Sequence, residues 1–94
     1  MQIKMSDKVI VPTDVMARAV GEDLVILNLK SGTYFGLDPI GAKIWQLLVG
    51  QKTFQEVRDA LLLEYEVSSE ILERDILKLV TELCKQQLVE VAPG

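Results

Sequence analysis

Few residues in this chain have the types and spacing that catalysis requires. The sequence contains no histidine, and its one cysteine, Cys84, stands among apolar residues with no base near it in sequence. A thiol in such surroundings is typical of a packing residue. The fourteen carboxylates are interspersed with lysines and arginines and show neither the spacing of a calcium loop nor a paired-acid pattern. We therefore predict that the protein is not an enzyme and that it holds no metal ion or cofactor.

The net charge of the chain narrows the choice of partners. It is −4 at pH 7, with an isoelectric point near 4.7, so its field repels nucleic-acid phosphates and anionic membrane surfaces. Gly32, Gly36 and Gly41 are not followed by the Lys-Ser/Thr pair of a phosphate-binding loop. We therefore expect neither nucleic acid nor a membrane to be a partner.

The length of the chain predicts one domain over residues 1–94, because 94 residues with 49% hydrophobic content suffice for a single core. Residues 1–8 are mostly polar, and we expect them to be frayed. They lack the apolar run of a signal peptide, and no segment approaches the ~20 apolar residues of a membrane span. A single cysteine cannot form an internal disulfide. These features favour a cytoplasmic location.

Alternation and turn residues predict three strands in the first half of the chain. Val15 to Val20 alternates, and Gly21-Glu22 supplies a turn into an apolar run that reads DLVILNL. That run is apolar on both faces, which is typical of a central strand. After a turn at Lys30-Ser31-Gly32, Thr33 to Leu37 forms the third strand, at the edge of an antiparallel meander. Val9-Ile10-Val11 is either a short strand or an extended lead-in.

Capping residues and helical spacing predict three helices in the second half. Asp38-Pro39 begins the first helix, which Gly50 ends. A capping box at Thr53 to Glu56 begins the second, whose apolar stripe runs to Tyr65. Ser68 or Ser69 caps the third helix, which runs to about residue 86.

Three strands, three helices and a last extended piece from Leu88 to Val91 predict an α+β fold of winged helix-turn-helix type. Such folds often bind DNA, so a DNA-binding or regulatory module is the alternative function. Arg74, Lys78 and Lys85 share a stripe on the third helix. Carboxylates three or four residues away along the helix largely compensate the positive charge of this stripe. An ordinary solvated helix face explains this stripe better than a DNA-reading surface does.

The third strand is the most distinctive candidate site. As an edge, Thr33 to Leu37 presents main-chain groups without a partner, and it contains neither proline nor lysine to block pairing. Tyr34 and Phe35 project to opposite faces, so at least one aromatic ring can lie exposed. Such an edge could accept a strand from a peptide.

The ordered segments of the chain resemble the pyrroloquinoline quinone synthesis protein D (PqqD) family, whose members are recognition elements for ribosomally made, post-translationally modified peptides. The resemblance covers roughly residues 15–91. It rests, in order, on LNLKSGTYFGLDPIGAKIWQLLVG, TFQEVRDALLLEYEVSS and DILKLVTELCKQQLVEV. Family members often carry a glycine before the closing strand, where this chain has Gln86-Gln87.

The resemblance implies a non-catalytic adaptor that binds the leader segment of a precursor peptide and presents it to modifying enzymes. In this family the leader adds as an antiparallel strand to the third strand and lies between it and the third helix. Carried onto this chain, the peptide-binding residues are Thr33, Tyr34, Phe35, Gly36 and Leu37 on the strand, and Leu72, Asp75, Ile76, Lys78, Leu79 and Glu82 on the helix.

Helical spacing independently places Leu72, Asp75, Leu79 and Glu82 on one flank, an apolar floor with acidic margins. Asp75 and Glu82 either attract a basic leader residue or pair with Lys78 within the helix.

Several partners remain open at this point. The modifying enzyme could be a radical SAM enzyme, a peptidase or a cyclase, and the product a quinone cofactor, a lasso peptide or another class. A small subunit whose edge docks on a larger enzyme without any leader is a further possibility. Because an edge that accepts a peptide can also pair with its own copy, we expect a monomer or a weak dimer.

Overall fold

The computed structural model describes residues 3–94. The strands are β1 (Asp7–Ile10), β2 (Val15–Val20), β3 (Asp23–Asn28), β4 (Tyr34–Leu37) and β5 (Glu90–Pro93), and the helices are α1 (Pro39–Val49), α2 (Phe54–Leu62) and α3 (Ser69–Lys85). β2, β3 and β4 form an antiparallel sheet in that order, and β1 pairs with β5 in a second sheet. The predicted α+β fold with a three-stranded meander and three helices is confirmed.

β3 is the central strand of the larger sheet, as its two apolar faces predict. It pairs with β2 from Val15↔Asn28 to Val20↔Asp23, and with β4 from Leu24↔Leu37 to Leu27↔Tyr34. Gly21 has a φ of 64° in the turn between β2 and β3, a conformation that glycine adopts without steric cost. The sheet packs its Leu24 face on the helices.

The helices begin where the capping residues predict. Asp38, Thr53 and Ser68 each accept a hydrogen bond from a backbone N–H in the first turn, at 2.7, 3.2 and 3.2 Å. At α2 the box is complete, since Glu56 Oε1 accepts from the Thr53 N–H at 2.8 Å. Hydrogen bonding to the exposed Glu56 carboxyl from the Thr53 backbone, and secondarily from the Thr53 side chain, lowers the pKa of that carboxyl. Each cap satisfies donors that the helix itself leaves free, which fixes the point where the chain turns from strand or loop into helix.

The core lies between the larger sheet and the three helices. Its largest fully buried side chains are Phe54, Ile26, Leu48, Leu61, Ile76, Leu83, Leu88, Val9, Val57 and Val80. Trp45 is also part of this core, with 5% of its surface exposed. Tyr65 does not continue the stripe of α2, because that helix ends at Leu62 and the ring is 38% exposed. The residues after Leu62 instead form the turn that leads to the Ser68 cap of α3.

The second sheet is a difference from the sequence-based expectation. Fraying was expected through residue 8, but Asp7 and Lys8 pair with Pro93 and Ala92, and Val9 is fully buried. Residues 1 and 2 lie outside the described part of the chain. The closing strand begins at Glu90, two residues later than the predicted extended piece. β1 and β5 lie far apart in sequence, so no local sequence pattern predicts that they pair.

The end of α3 accounts for the two glutamines that stand where family members often carry glycine. Gln87 has a φ of 61°, its N–H donates to Cys84 O at 3.0 Å, and the Leu88 N–H donates to Leu83 O at 2.9 Å. These two bonds form a Schellman motif, and the buried Leu83 and Leu88 supply its apolar contact. The helix therefore stops as a glycine-capped helix would, but with a side chain in the left-handed region.

We expect Gln87→Gly to raise the free energy of unfolding by roughly 1 kcal/mol, because glycine adopts this φ without the clash of a Cβ. Urea denaturation of both proteins measures the change. Gln86→Gly is the control, since Gln86 has an ordinary φ of −87° and glycine there only adds freedom to the unfolded chain. Equal effects of the two substitutions would contradict a cost specific to Gln87.

Candidate functional site

β4 is an open edge of the larger sheet, since the strand order ends there. The Asn28 N–H donates to Thr33 O at 2.8 Å, which sets the hydrogen-bonding phase of the β3–β4 hairpin. Because this phase alternates along antiparallel strands, Phe35 and Leu37 bond to β3, whereas Tyr34 and Gly36 point their N–H and C=O groups outward. The edge therefore offers two residues' main-chain donors and acceptors to an added strand.

The side chains of β4 divide between the two faces of the sheet as the alternation predicts. Leu37 is buried and Phe35 packs partly on the core, whereas Tyr34 is 74% exposed. The exposed aromatic ring is thus Tyr34. Thr33 precedes the strand and accepts a hydrogen bond from Ser31 Oγ at 3.0 Å, so it belongs to the turn that leads into β4.

A groove lies between the end of β4 and α3. Its lining residues are Gly36, Leu37, Asp38, Ile40, Gly41, Ile44, Asp75 and Leu79. The structure thus brings together residues from the strand and the helix that the sequence analysis assigned to one site, namely Gly36, Leu37, Asp75 and Leu79. We call this the β4–α3 groove.

Other residues of the predicted helix wall lie elsewhere. Ile76 has 0% exposed surface and Leu72 is also buried, so both are core residues that support the wall from behind. Lys78 is exposed and Glu82 is half-buried, and neither lines the β4–α3 groove. The helical flank therefore contributes Asp75 and Leu79 directly.

α1 supplies a third side of the groove, although none of its residues was among the predicted peptide-binding residues. Ile40 is 51% exposed at the groove, and Ile44 lies below it as a core residue. The first turn of α1 approaches the end of β4 closely, because a Cβ on Gly41 would meet the Leu37 side chain at 3.2 Å and Asp38 Oδ1 at 3.3 Å. A glycine three residues after a helix cap was the available signal for this approach.

Asp75 gives the groove its acidic side. The ion pair that it forms is with its neighbour Arg74, Nε to Oδ1 at 3.8 Å, and both side chains are exposed. An exposed pair of this kind is worth little in water. Among residues 3–94, the ion pairs do not include Lys78, so Asp75 and Glu82 do not pair with it in this structure. Asp75 is therefore placed to attract a basic group.

The cysteine thiol lies in surroundings that disfavour its reactive form. Burial, and secondarily the charge of Glu90, raise the pKa of the half-buried Cys84 thiol, which disfavours the nucleophilic thiolate. The described residues contain no cluster of three side chains suited to a metal ion. None of the helices from residue 3 onward has the length and apolar character to cross a membrane.

The fold and the site define a small winged-helix-like domain with an unpaired strand edge beside the β4–α3 groove. The sequence model of the coenzyme PQQ synthesis protein D (PqqD) family matches residues 23–89, and the chain belongs to this family. The resemblance read from the ordered segments is thereby confirmed.

Two solved structures are similar over most of the chain. One is described as TbiB1 in complex with the TbiA(beta) leader peptide, and it is 36% identical, with a TM-score of 0.80 over 85% of this chain and 93% of that one. The other is lasso peptide synthetase B1 complexed with the leader peptide, 29% identical, with a TM-score of 0.81 over 88% and 98% of the two chains. A search of curated proteins gave no match.

Proposed function

We propose that this chain is a non-catalytic adaptor that binds the leader segment of a ribosomally made precursor peptide and presents the peptide to modifying enzymes. The leader adds as an antiparallel strand to β4 and lies along the β4–α3 groove. One observation carries the proposal. Tyr34 and Gly36 point their main-chain N–H and C=O groups away from β3, and they lie beside a groove that Leu79 and Asp75 of α3 line on the other side. Both similar structures hold leader peptides, which supports the same occupant here.

The chemistry of the groove indicates which leader side chains it would accept. An added strand points alternate side chains toward the sheet's core face and toward solvent. Those on the core side meet Leu79 and Ile40, which favour an apolar leader residue, and Asp75, which favours a basic one nearby. Main-chain hydrogen bonds then supply sequence-independent affinity, and these side-chain contacts supply selectivity.

The precursor that we propose is of the lasso peptide class, because one similar chain is named as a lasso peptide synthetase component. The modifying partner is then the enzyme that acts on this precursor, and a peptidase, a cyclase or a radical SAM enzyme would fit an adaptor of this kind. A DNA-binding role is not favoured, since the chain is acidic and Arg74 on α3 contacts a carboxylate.

NMR titration of the isotope-labelled protein tests the proposal. The peptides are the TbiA(beta) leader and the leader encoded beside this protein's gene. We expect saturable shifts of the amide signals of Tyr34, Gly36, Asp75 and Leu79, with little change at Val57 in α2. Failure of both peptides to shift any signal, or saturable binding that leaves β4 unchanged, would show that the proposal is incorrect.

A further inference from the structure

Asn28 is the buried polar residue of the described chain, with 7% of its surface exposed at the end of β3. A buried amide side chain is tolerated only when its donors and acceptor have partners. Among residues 3–94, no buried side-chain nitrogen or oxygen lacks one. The partners of Asn28 therefore show what this residue holds together.

The acceptor side of Asn28 closes the turn that leads into β4. Its Oδ1 accepts from the N–H groups of Lys30 and Ser31 at 2.9 and 3.1 Å. Its main chain adds two bonds, since its N–H donates to Thr33 O and its C=O accepts from the Gly32 N–H, each at 2.8 Å. Four hydrogen bonds to one residue thus fix the position from which β4 starts.

The donor side of Asn28 reaches a different element. Its Nδ2 donates to the main-chain oxygen of Gln87 at 2.8 Å, across 59 positions of sequence. Gln87 is the left-handed residue that ends α3. Residues of the turn and of the end of α3, including Ser31 and Cys84, line one hollow around this bond. One side chain therefore joins the start of β4 to the end of α3.

We propose that Asn28 is a positioning residue that sets the separation of the two walls of the β4–α3 groove. β4 and α3 are held near each other at two places. The first turn of α1 lies between them at the β4–α3 groove itself, near Leu37. Beyond the groove, the bond from Asn28 to Gln87 joins the start of β4 to the end of α3. Without that bond, β4 and α3 keep their own internal hydrogen bonds and their contacts through α1, but they lose the link between the start of β4 and the end of α3. The role in leader binding rests on the proposed function, whereas the link is a property of the unbound chain.

Asn28→Asp removes the hydrogen-bond donor of this side chain and keeps its acceptor. A carboxylate has nearly the shape of the amide and still accepts from Lys30 and Ser31, but it cannot donate to the main-chain oxygen of residue 87 and repels it. The substitution is made in a Gln87→Gly background, which keeps that carbonyl and offsets part of any loss of stability. Thr53→Ala in the same background is the control, since it removes a helix cap that lies outside the groove.

Two measurements test the inference. In the unbound protein, we expect amide hydrogen exchange at position 87 and at Leu88 of the Asn28→Asp variant to accelerate, while exchange at Lys30 and Ser31 keeps its rate. Calorimetry then measures binding of the TbiA(beta) leader at a temperature where each variant is fully folded. We expect the affinity of the Asn28→Asp variant to be about tenfold lower than that of its parent, or about 1.4 kcal/mol. The Thr53→Ala control should bind within about twofold of its parent, because a general loss of stability does not change the affinity of the folded protein.

The outcomes distinguish this inference from the proposed function. Unchanged exchange at positions 87 and 88, or parental affinity of Asn28→Asp for the leader, overturns the positioning role while leaving leader binding intact. An equal loss of affinity in the Thr53→Ala control also overturns it. If the parent itself binds no leader, the proposed function fails, and the exchange measurement alone decides whether Asn28 joins the two walls.

Discussion

Replacing Gly36 with proline is expected to weaken leader binding about tenfold or more. Gly36 points its N–H out of the β4 edge, so proline removes a donor that an added strand needs while the bonds from Phe35 and Leu37 to β3 remain. Loss of one such bond with a buried acceptor left unpaired costs about 1–3 kcal/mol. Calorimetry with the TbiA(beta) leader measures the change.

Gly36→Ala is the matched control for this prediction. A Cβ at this position meets nothing within 4 Å, and alanine keeps the N–H, so we expect affinity within about twofold of the parent. Circular dichroism confirms that both variants are folded. A folded proline variant that binds the leader as tightly as the alanine variant would exclude strand addition at this edge.

Replacing Leu79 with alanine is expected to weaken leader binding by about 1–2 kcal/mol, because an apolar contact in the groove is shortened. Leu79 is half-buried on α3 and lines the groove opposite Gly36 and Leu37. The same calorimetric titration reports the effect, with unfolding curves recorded in parallel.

Leu77→Ala serves as the comparison for the Leu79 substitution. Leu77 is also a half-buried leucine of α3 that packs on the core, but it does not line the groove. Two positions apart on a helix are about 200° apart around its axis. Both substitutions should lower stability, and only Leu79→Ala should lower affinity. A similar loss of affinity in the two variants would mean that the leader does not contact this wall.

Features that depend on a few neighbouring residues could be predicted from the sequence. The caps at Asp38, Thr53 and Ser68 are local hydrogen bonds, and each begins its helix as expected. The meander follows from two short turns that leave the chain little choice of partner. The open edge of β4 is a consequence of that order, so the strand half of the candidate site was readable in advance.

Features that depend on packing between distant segments could not be read in the same way. Helical spacing puts Ile76 and Leu79 on neighbouring parts of one helix face, but only the angle at which α3 meets the sheet buries the first and leaves the second at the groove. The contribution of Ile40 likewise depends on how closely α1 approaches β4. The proposed role of Asn28 depends on a partner 59 positions away, and no sequence pattern around Asn28 predicts that partner.

The pairing of β1 with β5 has a consequence for how this domain can be joined to other proteins. Asp7 lies opposite Pro93, so the two ends of the domain leave it side by side, about 5 Å apart at their Cα atoms. A tether attached to either end therefore starts from the same place on the surface. The domain would therefore be anchored at one point whether it is fused before an enzyme, fused after it or inserted within it. For a given linker length, the bound peptide could then extend the same distance from that point in each case.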